Sequence, residues 1–132
     1  MLEHFDEDKI KTLSPLVTAY IGDAYFHLYV RTRLLNFTRK ISKLHDLSAK
    51  IVSAVAQAEA YQKIELQLTE NEREIFRRGR NAKSHAPRSS TIEEYHASTG
   101  FENLLGELFL RKNFSRLDEI CELAFNAVQN FD

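Results

Sequence analysis

Two short segments, Tyr20-Ile21-Gly22-Asp23-Ala24 and Gly100-Phe101-Glu102-Asn103-Leu104-Leu105-Gly106, each set one carboxylate inside an apolar run that also carries glycine. A glycine inside a helix costs about 1 kcal/mol relative to alanine and is kept chiefly where another backbone must come close. The chain has only 4 glycines. Gly22, Gly100 and Gly106 lie in these two segments, and Gly79 lies between them. Around Asp23, the neighbours Leu16, Val17, Tyr20, Ile21, Ala24, Tyr25, Phe26 and Leu28 leave no polar face, so the predicted helix should be buried nearly all round. An ionised carboxylate in such surroundings needs a metal, a base or hydrogen-bond donors to offset its desolvation.

The length of 132 residues fits a single domain over residues 1–132, large enough to bury about two thirds of the surface that the unfolded chain would expose. Hydrophobic residues at 43% and charged residues at 28% exclude intrinsic disorder. The lone Cys121 allows no internal disulfide, and neither a signal-peptide pattern nor a membrane-spanning apolar run is present, so a cytoplasmic setting is expected. The net charge of −1 hides an uneven distribution. Arg77, Arg78, Arg80, Lys83 and Arg88 fall between Phe76 and Thr91 with no acid among them, whereas Glu3, Asp6, Glu7 and Asp8 cluster near the start.

The pattern predicts an all-α fold, a compact helical bundle. Ser14 caps a long first helix, with Pro15 at its first position, that runs through Asp23 to about Arg33. A loop covers 36–42. Leu44, Leu47, Ile51, Val55 and Ala58 repeat at helical spacing and predict one helix from Ser42 or Leu44 to about Leu66. Thr69 and Glu72 form a capping box for a short helix that Gly79 should end, followed by a loop over 80–90. Thr91 and Glu94 cap a brief helix, Ser98 or Thr99 opens another that holds Glu102, and Ser115 caps the last.

Two carboxylates far apart in sequence and joined by helix packing suit a Mg²⁺ ion, a hard cation that keeps most of its waters and takes a substrate phosphate into its shell. Other readings stay open at this level. A helical Asp or Glu is commonly a solvated residue or a cap, and a basic cluster at a helix end commonly complements the helix dipole. Asp23 and His27 have the spacing of a transition-metal pair, but His4, His45, His85 and His96 offer no convincing further ligand. Cys121 reads as a buried structural thiol, and Ser14, Ser42 and Ser98 read as caps.

Tyr20-Ile21-Gly22-Asp23-Ala24 resembles the core of the ribonuclease III signature, and Phe101-Glu102-Asn103-Leu104-Leu105-Gly106 resembles that family's second acidic motif. Arg77-Arg78-Gly79-Arg80-Asn81-Ala82-Lys83-Ser84 is similar to the segment found between them in Mini-ribonuclease III, which consists of the catalytic domain without a double-stranded-RNA-binding domain. The resemblance runs from Leu13 to about Asn113. It implies a ribonuclease III-like endonuclease domain that works as a homodimer, cuts double-stranded RNA with Mg²⁺ and matures the ends of precursor 23S ribosomal RNA, leaving 5′-phosphate and 3′-hydroxyl ends. A ribosomal protein could present that substrate. Carried over by position, Asp23 and Glu102 become the catalytic metal ligands, while Arg77, Arg78, Arg80, Asn81 and Lys83 become RNA contacts. The shape and backbone of A-form RNA are what such donors read.

The chain departs from the larger ribonuclease III pattern at Ala19 and Thr99, where that pattern carries two further carboxylates. Fewer anionic ligands imply fewer or weaker ions, a reduction that Mini-ribonuclease III shares. Asn103 and Glu107 replace residues that are commonly small or apolar in the family and are expected to make local polar contacts. The competing functional reading is a non-catalytic, ribosome-associated RNA-binding protein on the same scaffold. A helical nucleotide hydrolase is a third, which usually needs more clustered acids. Tyr20, Tyr25 and Phe26 are expected either in the core or at a dimer interface.

Overall fold

In the computed structural model, residues 2–82, 85 and 90–128 are described. They form α1 (Glu7–Lys11), α2 (Pro15–Leu34), α3 (Ile41–Ile51), α4 (Ala54–Ile64), a 3-10 turn (Glu65–Gln67), α5 (Glu70–Arg80), α6 (Ile92–Leu110) and α7 (Phe114–Val128), with no strand among the described residues. The all-α expectation holds. So do its main start signals: Ser14 Oγ accepts from the Val17 N–H at 3.3 Å, and both capping boxes, Thr69 with Glu72 and Thr91 with Glu94, are formed.

Several boundaries differ from expectation for identifiable reasons. The helix expected from Ser42 or Leu44 to Leu66 starts at Ile41 and is two helices, because Ser53 Oγ takes the Ala56 N–H at 3.1 Å and starts α4 afresh. Gly79 does not end α5; it is buried inside that helix, and Asn81 caps the end instead. The two helices expected around Thr91 and Ser98 are the single helix α6. Within it Ser98 and Thr99 donate their hydroxyls to the Tyr95 carbonyl at 2.7 and 3.1 Å rather than capping a new start. The last helix begins at Phe114, one residue before the expected Ser115 cap. Helix α1 was not anticipated; Asp6 caps it by accepting from the Lys9 N–H at 2.9 Å.

Helix α6 is the hub, packed against α2, α4, α5 and α7. All four glycines lie at its crossings. A Cβ on Gly22 would overlap the carbonyl oxygen of Glu102, and one on Gly106 would overlap that of Thr18, so α2 and α6 meet backbone to backbone. At the α5–α6 crossing, a Cβ on Gly79 would fall 2.7 Å from the Asn103 Cβ, and one on Gly100 would fall 2.6 Å from the Phe76 carbonyl oxygen. Around these crossings Phe26 meets Phe101 edge to face at 5.2 Å, and Val30, Leu34, Leu104, Leu105, Leu117, Ile120 and Phe125 are fully buried. Cys121 is buried there as expected, and desolvation pushes its thiol far above the ordinary range. Glu72 ties the start of α5 to α7 through Arg116 Nε at 2.7 Å, which holds the Glu72 carboxyl below its usual range.

Helix α2 is not buried all round. Leu16, Val17, Tyr20 and Leu28 are exposed, Tyr20 by 75%, whereas Phe26 is core and Tyr25 is half-buried. No helix among the described residues is long and apolar enough to cross a membrane.

The α2–α6 approach makes a direct prediction. Gly22→Ala should destabilise the protein by about 2–4 kcal/mol, since a backbone and not a flexible side chain must move to admit the methyl group. Urea titration measures this, and a midpoint equal to wild type would contradict so close a crossing.

Candidate active site

The α2–α6 crossing sets the two sequence-marked carboxylates side by side. Gly22 precedes Asp23 on α2 and rests on the carbonyl of Glu102 on α6, which sets the Glu102 carboxyl against that of Asp23. The burial of Asp23 differs from the sequence-based expectation. Asp23, expected to be buried, has a half-exposed side chain, with Oδ1 3.1 Å from His27 Nε2 one turn along α2. Glu102 is partly buried, with its Oε2 against the Gln57 amide.

The surroundings of Glu102 press it toward the neutral form. Desolvation contributes most, followed by the hydrogen bond and the charge of Asp23, and together they raise its pKa well above the carboxylate range. Gln57 opposes this by donating from Nε2 to Glu102 Oε2 at 3.2 Å. Two carboxylates set against each other repel when both are ionised, which a cation between them would relieve.

The basic end of α5 is anchored nearby through Gly79, which sits against Gly100, two residues before Glu102. Arg77 pairs with Glu74 on its own helix. Arg78 reaches Glu107 at 3.6 Å, and Arg80 lies 5.9 Å from the Phe76 ring centroid with Nε donating to Asn81 Oδ1 at 3.4 Å. Arg77, Arg78, Arg80 and Asn81 all remain exposed. Lys83 and Arg88 lie outside the described residues.

This arrangement has close relatives. Residues 16–113 match the ribonuclease III domain. Mini-ribonuclease 3 of Thermoanaerobacter sp. (strain X514) is 41% identical over 129 residues, covering 96% of this chain and 91% of the relative. Mini-ribonuclease 3 of Symbiobacterium thermophilum is 44% identical over 121 residues, covering 89% and 92%. A crystal structure of a protein from Fusobacterium nucleatum matches with a TM-score of 0.80 at 32% identity, over 89% of this chain and 95% of that one. The chain belongs to the Mini-ribonuclease III branch of the ribonuclease III family.

As a member of that branch it is an endoribonuclease, and the remaining positions can be compared with the family pattern. Ala19 and Thr99 are each 5% exposed, and the Thr99 hydroxyl donates to the Tyr95 carbonyl, so neither position adds an anionic ligand. Asn103 and Glu107 make the local contacts expected of them: Asn103 Nδ2 donates to the Ile75 carbonyl at 2.8 Å, and Glu107 accepts from Arg111 at 3.0 Å. Among the described residues no group of three or more His, Cys, Asp and Glu is placed to hold a metal, which leaves Asp23–His27 as a simple pair. Two touching carboxylates suit a hard divalent cation bound through one or two protein oxygens, with water and phosphate completing its shell. Gln57 is the site residue that sequence reasoning missed. The helical period gave its one possible signal, a polar residue at helical spacing with Ala60, Tyr61 and Ile64 on a face otherwise apolar.

The raised pKa of Glu102 carries a sign for stability. Its protonated form contributes stability that is fully present below the ordinary Glu range and is lost as pH rises through the raised folded-state value, because the folded protein binds the extra proton. In metal-free buffer, Glu102→Gln should therefore gain stability relative to wild type from about pH 5 to about pH 9, by on the order of 1–2 kcal/mol. Parallel melting curves for the two proteins across that range would contradict the placement of Glu102.

Proposed function

We propose that this protein is a homodimeric, Mg²⁺-dependent endoribonuclease that cleaves double-stranded RNA in the cytoplasm and matures the ends of precursor 23S ribosomal RNA. The observation that carries this reading is the contact between Asp23 and Glu102 across the α2–α6 crossing. Asp23 and Glu102 would hold the cation, which when bound supplies charge stabilisation at phosphorus and lowers the pKa of coordinated water.

Both carboxylates would hold the cation: Asp23 from a half-exposed position on α2, and Glu102 from α6 with its Oε2 kept in place by the Gln57 amide. His27 flanks Asp23 at 3.1 Å and orients that carboxylate along α2. Arg77, Arg78, Arg80 and Asn81, with Lys83, bind phosphates and sugar hydroxyls of the duplex, so recognition follows A-form shape more than base sequence. Water adds at phosphorus and the bond to the 3′ oxygen breaks, which leaves a 5′-phosphate and a 3′-hydroxyl.

The exposed apolar residues Leu16, Val17, Tyr20 and Leu28 on α2 support a second copy as the partner, bringing two sites to the two strands of one duplex. A ribosomal protein that presents the precursor is compatible with recognition so reliant on shape.

Two measurements test this. Asp23→Asn and Glu102→Gln should each lower cleavage of duplex RNA in Mg²⁺ by at least about a hundredfold while circular dichroism stays helical. Wild-type rates in either variant would refute the site, and mapping the ends made on precursor 23S RNA tests the substrate. Separately, Arg80→Ala should raise KM severalfold with little change in kcat and make binding less steeply dependent on salt, by about one unit in the log–log slope. An unchanged slope would remove Arg80 from the RNA surface.

A further inference from the structure

The interruption between α3 and α4 prepares a buried hydrogen-bond donor for the acidic site. In an unbroken helix the Ala56 N–H would donate to the Val52 carbonyl; here it goes to Ser53 Oγ at 3.1 Å, which frees that carbonyl. Gln57 Nε2 takes it over at 3.0 Å. Only the nitrogen end of an amide can face a carbonyl oxygen, so this contact fixes which way the Gln57 amide points. The same nitrogen then directs its second N–H to Glu102 Oε2 at 3.2 Å.

Gln57 is 1% exposed, and its Oε1 is buried with no hydrogen-bond partner among the described residues. A buried amide that leaves its own oxygen unmatched is poorly explained by packing alone. It is well explained by what its nitrogen does. We infer that Gln57 is a positioning residue of the metal site: anchored on the Val52 carbonyl, its amide locks the rotation of the Glu102 carboxylate beside Asp23. The inference rests on Asp23 and Glu102 being the metal-holding pair.

Hydrogen-bond partners behind metal ligands are worth about 10–100-fold in metal affinity or activity when removed. Gln57→Leu and Gln57→Met keep the buried volume and remove the donor. The probe is Mn²⁺ as a paramagnetic stand-in for Mg²⁺, with free ion followed by electron paramagnetic resonance on RNA-free protein, alongside kcat and KM on duplex RNA. Each folded variant should bind Mn²⁺ about 10–100-fold more weakly and lose kcat while KM for RNA stays near wild type. If the leucine variant does not fold, the methionine variant, with its flexible side chain, carries the test. Wild-type Mn²⁺ affinity in a folded Gln57 variant, with only a lowered melting temperature, would overturn the inference and leave Gln57 as a cap for Val52. Glu102→Gln measured in parallel separates the two levels. If it loses Mn²⁺ binding while the Gln57 variants keep it, the Gln57 inference alone falls; if it also keeps wild-type affinity, the acidic pair is not the metal site and both readings fall.

Discussion

Everything at the acidic site depends on how closely α2 and α6 approach. Gly22 and Gly106 remove the two side chains that would hold the helices apart, and each glycine rests on a carbonyl of the opposite helix. With ordinary residues there the axes would move outward, and the Asp23 and Glu102 carboxyls would move with them. Close approach therefore brings two unremarkable helical acids, both partly buried, against each other. The electrostatic tension follows from packing and needs no further acidic ligand.

The rest of the bundle keeps that tension in place. Gly79 and Gly100 bring α5 onto the same face of α6, so the arginine-bearing end of α5 is fixed relative to the Glu102 turn. The ion pair of Glu72 with Arg116 ties the other end of α5 to α7. Helix α4 approaches from a different side and contributes Gln57, whose amide is oriented by a carbonyl that the α3–α4 break has released. Acidic centre and basic surface are thus two consequences of one central helix with glycine at its crossings.

Much of this was legible in the sequence, for physical reasons that differ by element. Glycine within apolar helical runs pointed to close crossings, and Ser14, Thr69 and Thr91 announced helix starts through side chains that form those caps. The burial of Asp23 was overestimated. Apolar neighbours on α2 suggested a buried Asp23, but part of that apolar surface, Leu16, Val17, Tyr20 and Leu28, faces outward from the chain. Nothing near Glu102 in sequence shows that α2 and α4 converge on it, since that is tertiary packing. The division of α3 from α4 was missed because a serine in an apolar period reads equally as a helical residue or an N-cap until its hydroxyl finds a backbone N–H. Gln57 went unnoticed with it, because its role exists only once the break has freed Val52.

If Asp23 and Glu102 together hold the divalent cation, titrating RNA-free protein with Mg²⁺ by calorimetry shows it most directly. Wild type should bind Mg²⁺, and Asp23→Asn and Glu102→Gln should each weaken that binding by at least about tenfold while the helical signal is kept. Wild-type affinity in both variants would contradict it.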